Sequence, residues 1–175
     1  YDEISEVLET IGEDEVFYDI GANTGLYTLF VAQQCKNVVA FEPYPPNIEI
    51  LRQDIDKNNL SNVEVVETAL SDSVGKINFD VPDNDEYGYG SASITPDTAA
   101  DESHTTTNRG DALITEQDLP LPNIVKIDVE GAESLVIKGL KQSLSRPECR
   151  RIFCEVHLPG VKKRPSISDF GVKIE

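Results

Sequence analysis

The stretch FYDIGANTG, Phe17 to Gly25, places two glycines four residues apart directly after an apolar run. Gly21 and Gly25, with Ala22 and Asn23 between them, can admit a ligand close to the backbone where a helix start offers unpaired N–H groups. Phosphates, a nicotinamide dinucleotide and the methionine half of S-adenosylmethionine are the candidates, beside a structural turn that binds nothing. The G-x-N-x-G pattern lacks both the full G-x-G-x-x-G fingerprint and the Gly-Lys-Ser/Thr ending of a phosphate-binding loop. Nucleotide hydrolysis is therefore disfavoured. Asp19 leads into the loop. Glu42 stands at the end of the next apolar run, at a spacing where a carboxylate can accept hydrogen bonds from both ribose hydroxyls of an adenosine group. Its alternative role is a solvated cap on the following helix. Asp72, after Leu70-Ser71, could accept from an adenine amino group or simply form an Asx turn.

A second set of polar residues follows the apolar run NIVKIDV. Asp128, Glu130 and Glu133 surround Gly131, and core packing explains three acids there poorly. Glu130 or Glu133 can favour a helix N-terminus, while Asp128 could orient a ligand ammonium or a substrate hydroxyl. Glu155 and His157 alternate onto one face at the end of RIFCEVH, where either could receive a proton. His104 reads as a surface residue. Two histidines among scattered acids make no metal set, although a divalent ion bridging carboxylates stays open. No G-x-S-x-G elbow is present.

Positioning these groups requires a layered α/β fold. Apolar runs at 15–20, 37–42, 63–69, 123–129 and 151–156 read as strands. Helical spacing falls between them, at Leu26 to Gln34, Ile48 to Ile55 and Ala132 to Leu140, after an opening helix over 3–11. Strands alternating with helices predict a doubly wound, mostly parallel sheet with helices on both faces. In that architecture ligands bind outside the carboxyl ends of the strands, and Asp19, Glu42, Asp72 and Asp128 are all expected there. A further strand is expected from Gly75 over 76–81. Residues 82–108, rich in Asp, Thr, Ser and Gly, read as a flexible insertion or lid. The 175 residues suit one domain.

Charge is the unusual property: 32 acidic against 15 basic residues give a net −17. Such a load disfavours a nucleic-acid backbone as partner, because phosphate binding relies on basic residues. It also opposes an anionic membrane surface, and suits a high-salt cytoplasm that screens self-repulsion. A halophilic source is expected. Cys35, Cys149 and Cys154 form no C-x-x-C pair, and Cys154 reads as a buried small hydrophobe. No run of eighteen apolar residues is present, and YDEISEV lacks the order of a signal peptide. The protein is expected to be cytoplasmic, and its ends to be trimmed.

Five stretches carry a family resemblance: YDIGANTGLYTL (18–29), FEPYPPN (41–47), ALSDSVG (69–75), NIVKIDVEGAESLVIKGL (123–140) and CEVH (154–157). Together they resemble the FkbM-type family of S-adenosylmethionine-dependent methyltransferases. The resemblance implies a Rossmann-like domain of the class I methyltransferase type that methylates an oxygen of a small molecule. It implies that the Asp19–Gly25 loop holds the methionine part, Glu42 with Pro43 the ribose, and Ser71-Asp72 the adenine. Asp128, Glu130 and Gly131 are implied at the reacting end, and a base for a hydroxyl acceptor could be His157, Glu155 or Asp128. Short ends, relative to the family, leave part of the substrate pocket in question. A non-catalytic adenosine-ligand or interaction module and a nicotinamide-dependent oxidoreductase are the competing readings.

Overall fold

All five residues of β1 (Val16–Ile20) are buried, as a strand covered on both faces must be. The computed structural model describes residues 2–78, 104–129 and 131–156. A helix, α1 (Asp2–Thr10), precedes β1, and α2 (Leu26–Val31), β2 (Asn37–Phe41), α3 (Pro45–Lys57) and β3 (Val63–Val66) follow. Three short strands come next: β4 (Ala69–Ser71), β5 (Gly75–Asn78) and β6 (His104–Arg109). The chain then forms α4 (Gly110–Glu116), β7 (Ile124–Ile127), α5 (Glu133–Gly139), α6 (Lys141–Leu144) and β8 (Arg151–Cys154). Pro45 and Pro46 open α3, where a missing N–H costs no helical bond. Asn58 and left-handed Asn59 close it.

The main sheet runs β3-β2-β1-β7-β8 and is parallel throughout. Side chains of a strand alternate between faces, and the core divides accordingly. Tyr18, Ile20, Val39, Phe41, Val125 and Ile127 meet Leu113, Val136 and Leu140 of α4, α5 and the turn after it on one face. Phe17, Val38 and Ile124 meet Val7, Val31 and Cys35 on the other. Burying each of the larger apolar side chains contributes about 1.5–3 kcal/mol. Within the first face Tyr18 and Phe41 stack at a tilt, 5.2 Å between ring centres. The Tyr18 hydroxyl donates to the carbonyl of Pro120 at 2.7 Å.

Three expectations need correction. The strand expected over 63–69 is two strands in two sheets. After Val66 the ladder stops, and Thr68 turns back to donate its N–H to the Val66 carbonyl at 2.9 Å. Its hydroxyl meets the Thr106 carbonyl at 3.0 Å and the Asn108 side chain at 2.8 Å. The chain thereby crosses to a second sheet, β4-β6-β5, in which β6 is parallel to β4 and antiparallel to β5. Secondly, residues 104–108 belong to β6 rather than to a flexible insertion, while 79–103 lie outside the described residues. Polar HTTTNR forms a strand because both its edges find partners. Thirdly, Cys154 is only partly buried, since it sits at the rim of a cleft.

The second sheet is pinned to the first core at one close approach. A Cβ on Gly139 would stand 1.9 Å from the Ser71 carbonyl oxygen, so the end of α5 rests on β4 with no room for a side chain. Among the described residues no helix is long and apolar enough to cross a membrane.

Candidate functional site

The glycine loop is held from three sides. The N–H groups of Gly21 and Ala22 both donate to the Phe41 carbonyl, at 3.0 and 3.1 Å. Gly21, Asn23 and Gly25 all have positive φ, at 76°, 53° and 96°. A Cβ on Gly21 would meet the Asp128 carbonyl oxygen at 1.9 Å, so the loop lies directly on the end of β7. Asp19 is fully buried. One of its oxygens accepts from the Thr28 N–H at 3.0 Å and hydroxyl at 2.7 Å, clamping α2 onto β1. From this buried position Asp19 fixes the start of the loop.

Glu42, 5% exposed, joins this loop to the end of β2. Its Oε2 accepts from the Asn23 N–H at 2.8 Å, and its Oε1 from the Tyr44 N–H at 2.9 Å and the Asn47 amide at 3.4 Å. A carboxylate offers about four lone-pair positions; three are engaged here, the Asn47 contact most weakly. Pro43, next in the chain, accepts at its carbonyl from the Thr105 hydroxyl of β6 at 3.4 Å.

Burial raises the Glu42 carboxyl above the usual carboxylate range, although the Tyr44 and Asn23 N–H groups oppose the shift. The raised value means that Glu42 contributes most stability below its unfolded value, and that this is lost as pH rises through its folded value. Acceptance of a ligand hydroxyl needs the ionised form, which runs the other way. Affinity for S-adenosylhomocysteine is expected to weaken as pH falls through the raised folded value of Glu42. Calorimetry should find that decline much reduced in Glu42→Gln; an equal decline in both proteins would remove Glu42 as its source.

Asp128 and Glu155 come together on the wall of a cleft of about 200 Å³, with Glu6, Tyr27, Lys126 and Cys154 among its other lining residues. The Asp128 side chain is one-third exposed. Burial, then the charges of Glu133 and Asp128, push the Cys154 thiol up to about 12, which keeps it a neutral thiol. Gly131 follows Asp128 at a φ of 94° and donates to Glu133 at 2.9 Å. Glu133 stands in the first turn of α5. Glu130 and His157 lie outside the described residues. Buried Ser71 and exposed Asp72 end β4 in the second sheet. Asp72 therefore does not follow the third strand of the main sheet, as its place in the sequence led one to expect.

Sequence reasoning missed Lys126. It is 7% exposed and stands beside Asp19 in the β1–β7 register. Its Nζ donates to the Gly21 carbonyl at 2.8 Å and lies 3.2 Å from Asp19 Oδ1 and 3.7 Å from Asp128 Oδ2. Asp19 Oδ1 has no hydrogen-bond geometry, so that short contact is one of charge. Burial opposes the charge of Lys126, but Asp19 and Asp128 outweigh it and hold the ammonium above the ordinary lysine range. The available signal was a lone cation inside the apolar run IVKID, opposite a buried acid in YDI.

The strand order, the glycine loop after β1 and the acid after β2 define a Rossmann-like fold of the class I methyltransferase type. Residues 19–170 match the Methyltransferase FkbM domain family, and the chain belongs to that family. It is 33% identical over 157 residues to the hexuronic acid methyltransferase AglP of Haloferax volcanii, covering 89% of this chain and 62% of that protein. The solved methyltransferase FkbM of Methylobacillus flagellatus superposes with a TM-score of 0.55 at 20% identity, over 81% of this chain and 33% of that one. A precorrin-8w decarboxylase from Methanobacterium thermoautotrophicum has the same fold, with a TM-score of 0.54 at 17% identity over 86% and 61% of the two chains. The chain thus spans less than two thirds of each of these proteins.

Proposed function

We propose that the protein transfers a methyl group from S-adenosylmethionine to a hydroxyl oxygen of a small-molecule acceptor. The observation that carries this reading is the joined unit of glycine loop and Glu42, bonded through Asn23, beside the cleft lined by Asp128 and Glu155. The cofactor supplies an electrophilic methyl group when bound. The fit is supported by the close backbone approach at Gly21 and by the buried Glu42 carboxylate with acceptor capacity left over. In this reading the loop from Asp19 through Gly25 holds the methionine end, Glu42 and Pro43 the ribose side, and Ser71-Asp72 the adenine side. Glu130 and Gly131 take the acceptor side. The bases open to the acceptor proton are Asp128, Glu155 and His157; the first two share the cleft wall. The resemblance to a hexuronic acid methyltransferase supports a saccharide hydroxyl as the acceptor class.

Calorimetry with S-adenosylmethionine, S-adenosylhomocysteine, NAD and ATP, in molar and in dilute salt, tests the reading. Binding of the first two is expected. Binding by NAD alone would replace it with hydride transfer.

A halophilic archaeal source and a cytoplasmic location complete the proposal, supported by the −17 charge and the Haloferax relative. The Debye length grows from about 3 Å at 1 M salt to about 10 Å at 0.1 M, so self-repulsion strengthens on dilution. The melting temperature is expected to fall between 3 M and 0.1 M potassium chloride. A midpoint that does not move over that range rejects the halophilic source.

A further inference from the structure

A buried lysine beside a buried aspartate is explained most simply as its counterion. Lys126 does more than that requirement needs. Its closest oxygen belongs not to Asp19 but to the carbonyl of Gly21, 2.8 against 3.2 Å. It also faces Asp128 from 3.7 Å and lies over the Tyr27 ring, 5.2 Å from its centre. These partners come from three places: the loop after β1, the end of β7 and the first turn of α2. Lys126, Asp128 and Tyr27 all line the same cleft. Register enforces the arrangement, because Asp19 and Lys126 are partners on adjacent parallel strands and project from the same face.

We propose that Lys126 is a positioning residue: its ammonium fixes the Gly21 carbonyl and draws the Asp128 carboxylate inward, so that loop and cleft are held in the geometry that admits the cofactor. This rests on the methyltransferase reading. The ammonium acts through the backbone of the loop and through Asp128, without itself touching the ligand. One cation thereby couples the two halves of the site, one carried by β1 and β2 and the other by β7 and β8.

The difficulty in testing it is that Lys126→Met alone strands a buried charge on Asp19, and such a loss is strongly destabilising. The informative comparison keeps residue 19 neutral in both proteins: Asp19→Asn against Asp19→Asn with Lys126→Met. Asparagine can still accept from Thr28, and both proteins avoid the unpaired carboxylate. Melting temperature, affinity for S-adenosylhomocysteine and amide exchange over Gly21–Thr28 are measured for each, with wild type alongside. The single variant serves as the reference for the double, whatever Asp19 itself contributes to binding; if the single variant does not bind, the Lys126→Arg variant decides. The double variant is expected to bind at least tenfold more weakly than the single, with faster exchange at Gly21 to Thr24 and a melting temperature within a few degrees of it. Equal affinity in the two variants overturns the proposal and leaves Lys126 a counterion. Should the double variant not fold, Lys126→Arg in the natural background decides. Its planar fork keeps the charge but not the compact donor, and a three- to tenfold weaker affinity at a near-unchanged melting temperature is expected. Unchanged affinity there overturns the proposal. Failure of wild type to bind, at a normal melting temperature, instead overturns the cofactor reading and the proposal with it.

Discussion

Gly21→Ala is expected to lower the melting temperature by roughly 10 °C and to abolish binding of S-adenosylhomocysteine. Two costs add at this position. A residue with a Cβ in the left-handed region loses about 1–2 kcal/mol. The added carbon would also stand 1.9 Å from the Asp128 carbonyl oxygen. That neighbour is backbone, so relief requires the loop or the end of β7 to move, at about 1–3 kcal/mol for a crowded core site. Together they approach 3 kcal/mol or more, and a chain of this size loses about 2–4 °C per kcal/mol. Gly75→Ala is the control. Its φ is not in the left-handed region and its nearest atom is the end of the Thr107 side chain, at 3.2 Å. Differential scanning calorimetry should show little change there. A Gly21 variant as stable as the Gly75 variant would mean that the loop is not seated on β7 as described.

Glu42→Ala is expected to weaken S-adenosylhomocysteine by 30- to 150-fold, or about 2–3 kcal/mol. The loss has two sources. Charge-assisted bonds to ribose hydroxyls are removed, and the Asn23 N–H loses the acceptor that ties the loop to β2. Glu42→Gln separates them, since an amide oxygen can still accept from Asn23 while the charge is gone. Its affinity should fall between those of wild type and the alanine variant. Removing a desolvated carboxylate relieves a cost, whereas leaving the Asn23 and Tyr44 N–H groups unpaired adds about 1–3 kcal/mol each. The melting temperature is thus expected to move less than the affinity. Glu49→Ala, exposed on α3, should leave both unchanged. Equal affinities for wild type and Glu42→Ala would end the ribose assignment.

The central strands β1, β2 and β7 were legible because each is an apolar run with both faces covered, while the edge strands β3 and β8 showed only through their β-branched and apolar content. The glycine loop and Glu42 were legible because turn chemistry and strand ends are local. What depends on long-range pairing was not. β6 is written HTTTNR, which has no apolar period, and it is a strand only because β4 and β5 flank it. The break between Val66 and Ala69 is invisible in VEVVETAL, since Thr68 finds its partners 38 and 40 residues away. Lys126 was hidden for the opposite reason. One charge in an apolar strand passes for a tolerated exception until the register sets a buried carboxylate beside it.

The register of β5 and β6 has a further consequence for how such a chain can change over time. Asn78 and His104 are paired across antiparallel strands, so two points far apart in the sequence are held side by side. The entropy of closing a loop grows only logarithmically, at about 0.6 kcal/mol for each doubling of its length. A change in the number of residues between those two points therefore adds little closure cost. It also falls outside the five described strands of the main sheet, whose order is then untouched. Thr105, one residue inside that junction, reaches the carbonyl of Pro43 beside Glu42. A junction where chain length can change is thus anchored next to a tightly held backbone loop, which lets lineages diverge at the first without rebuilding the second.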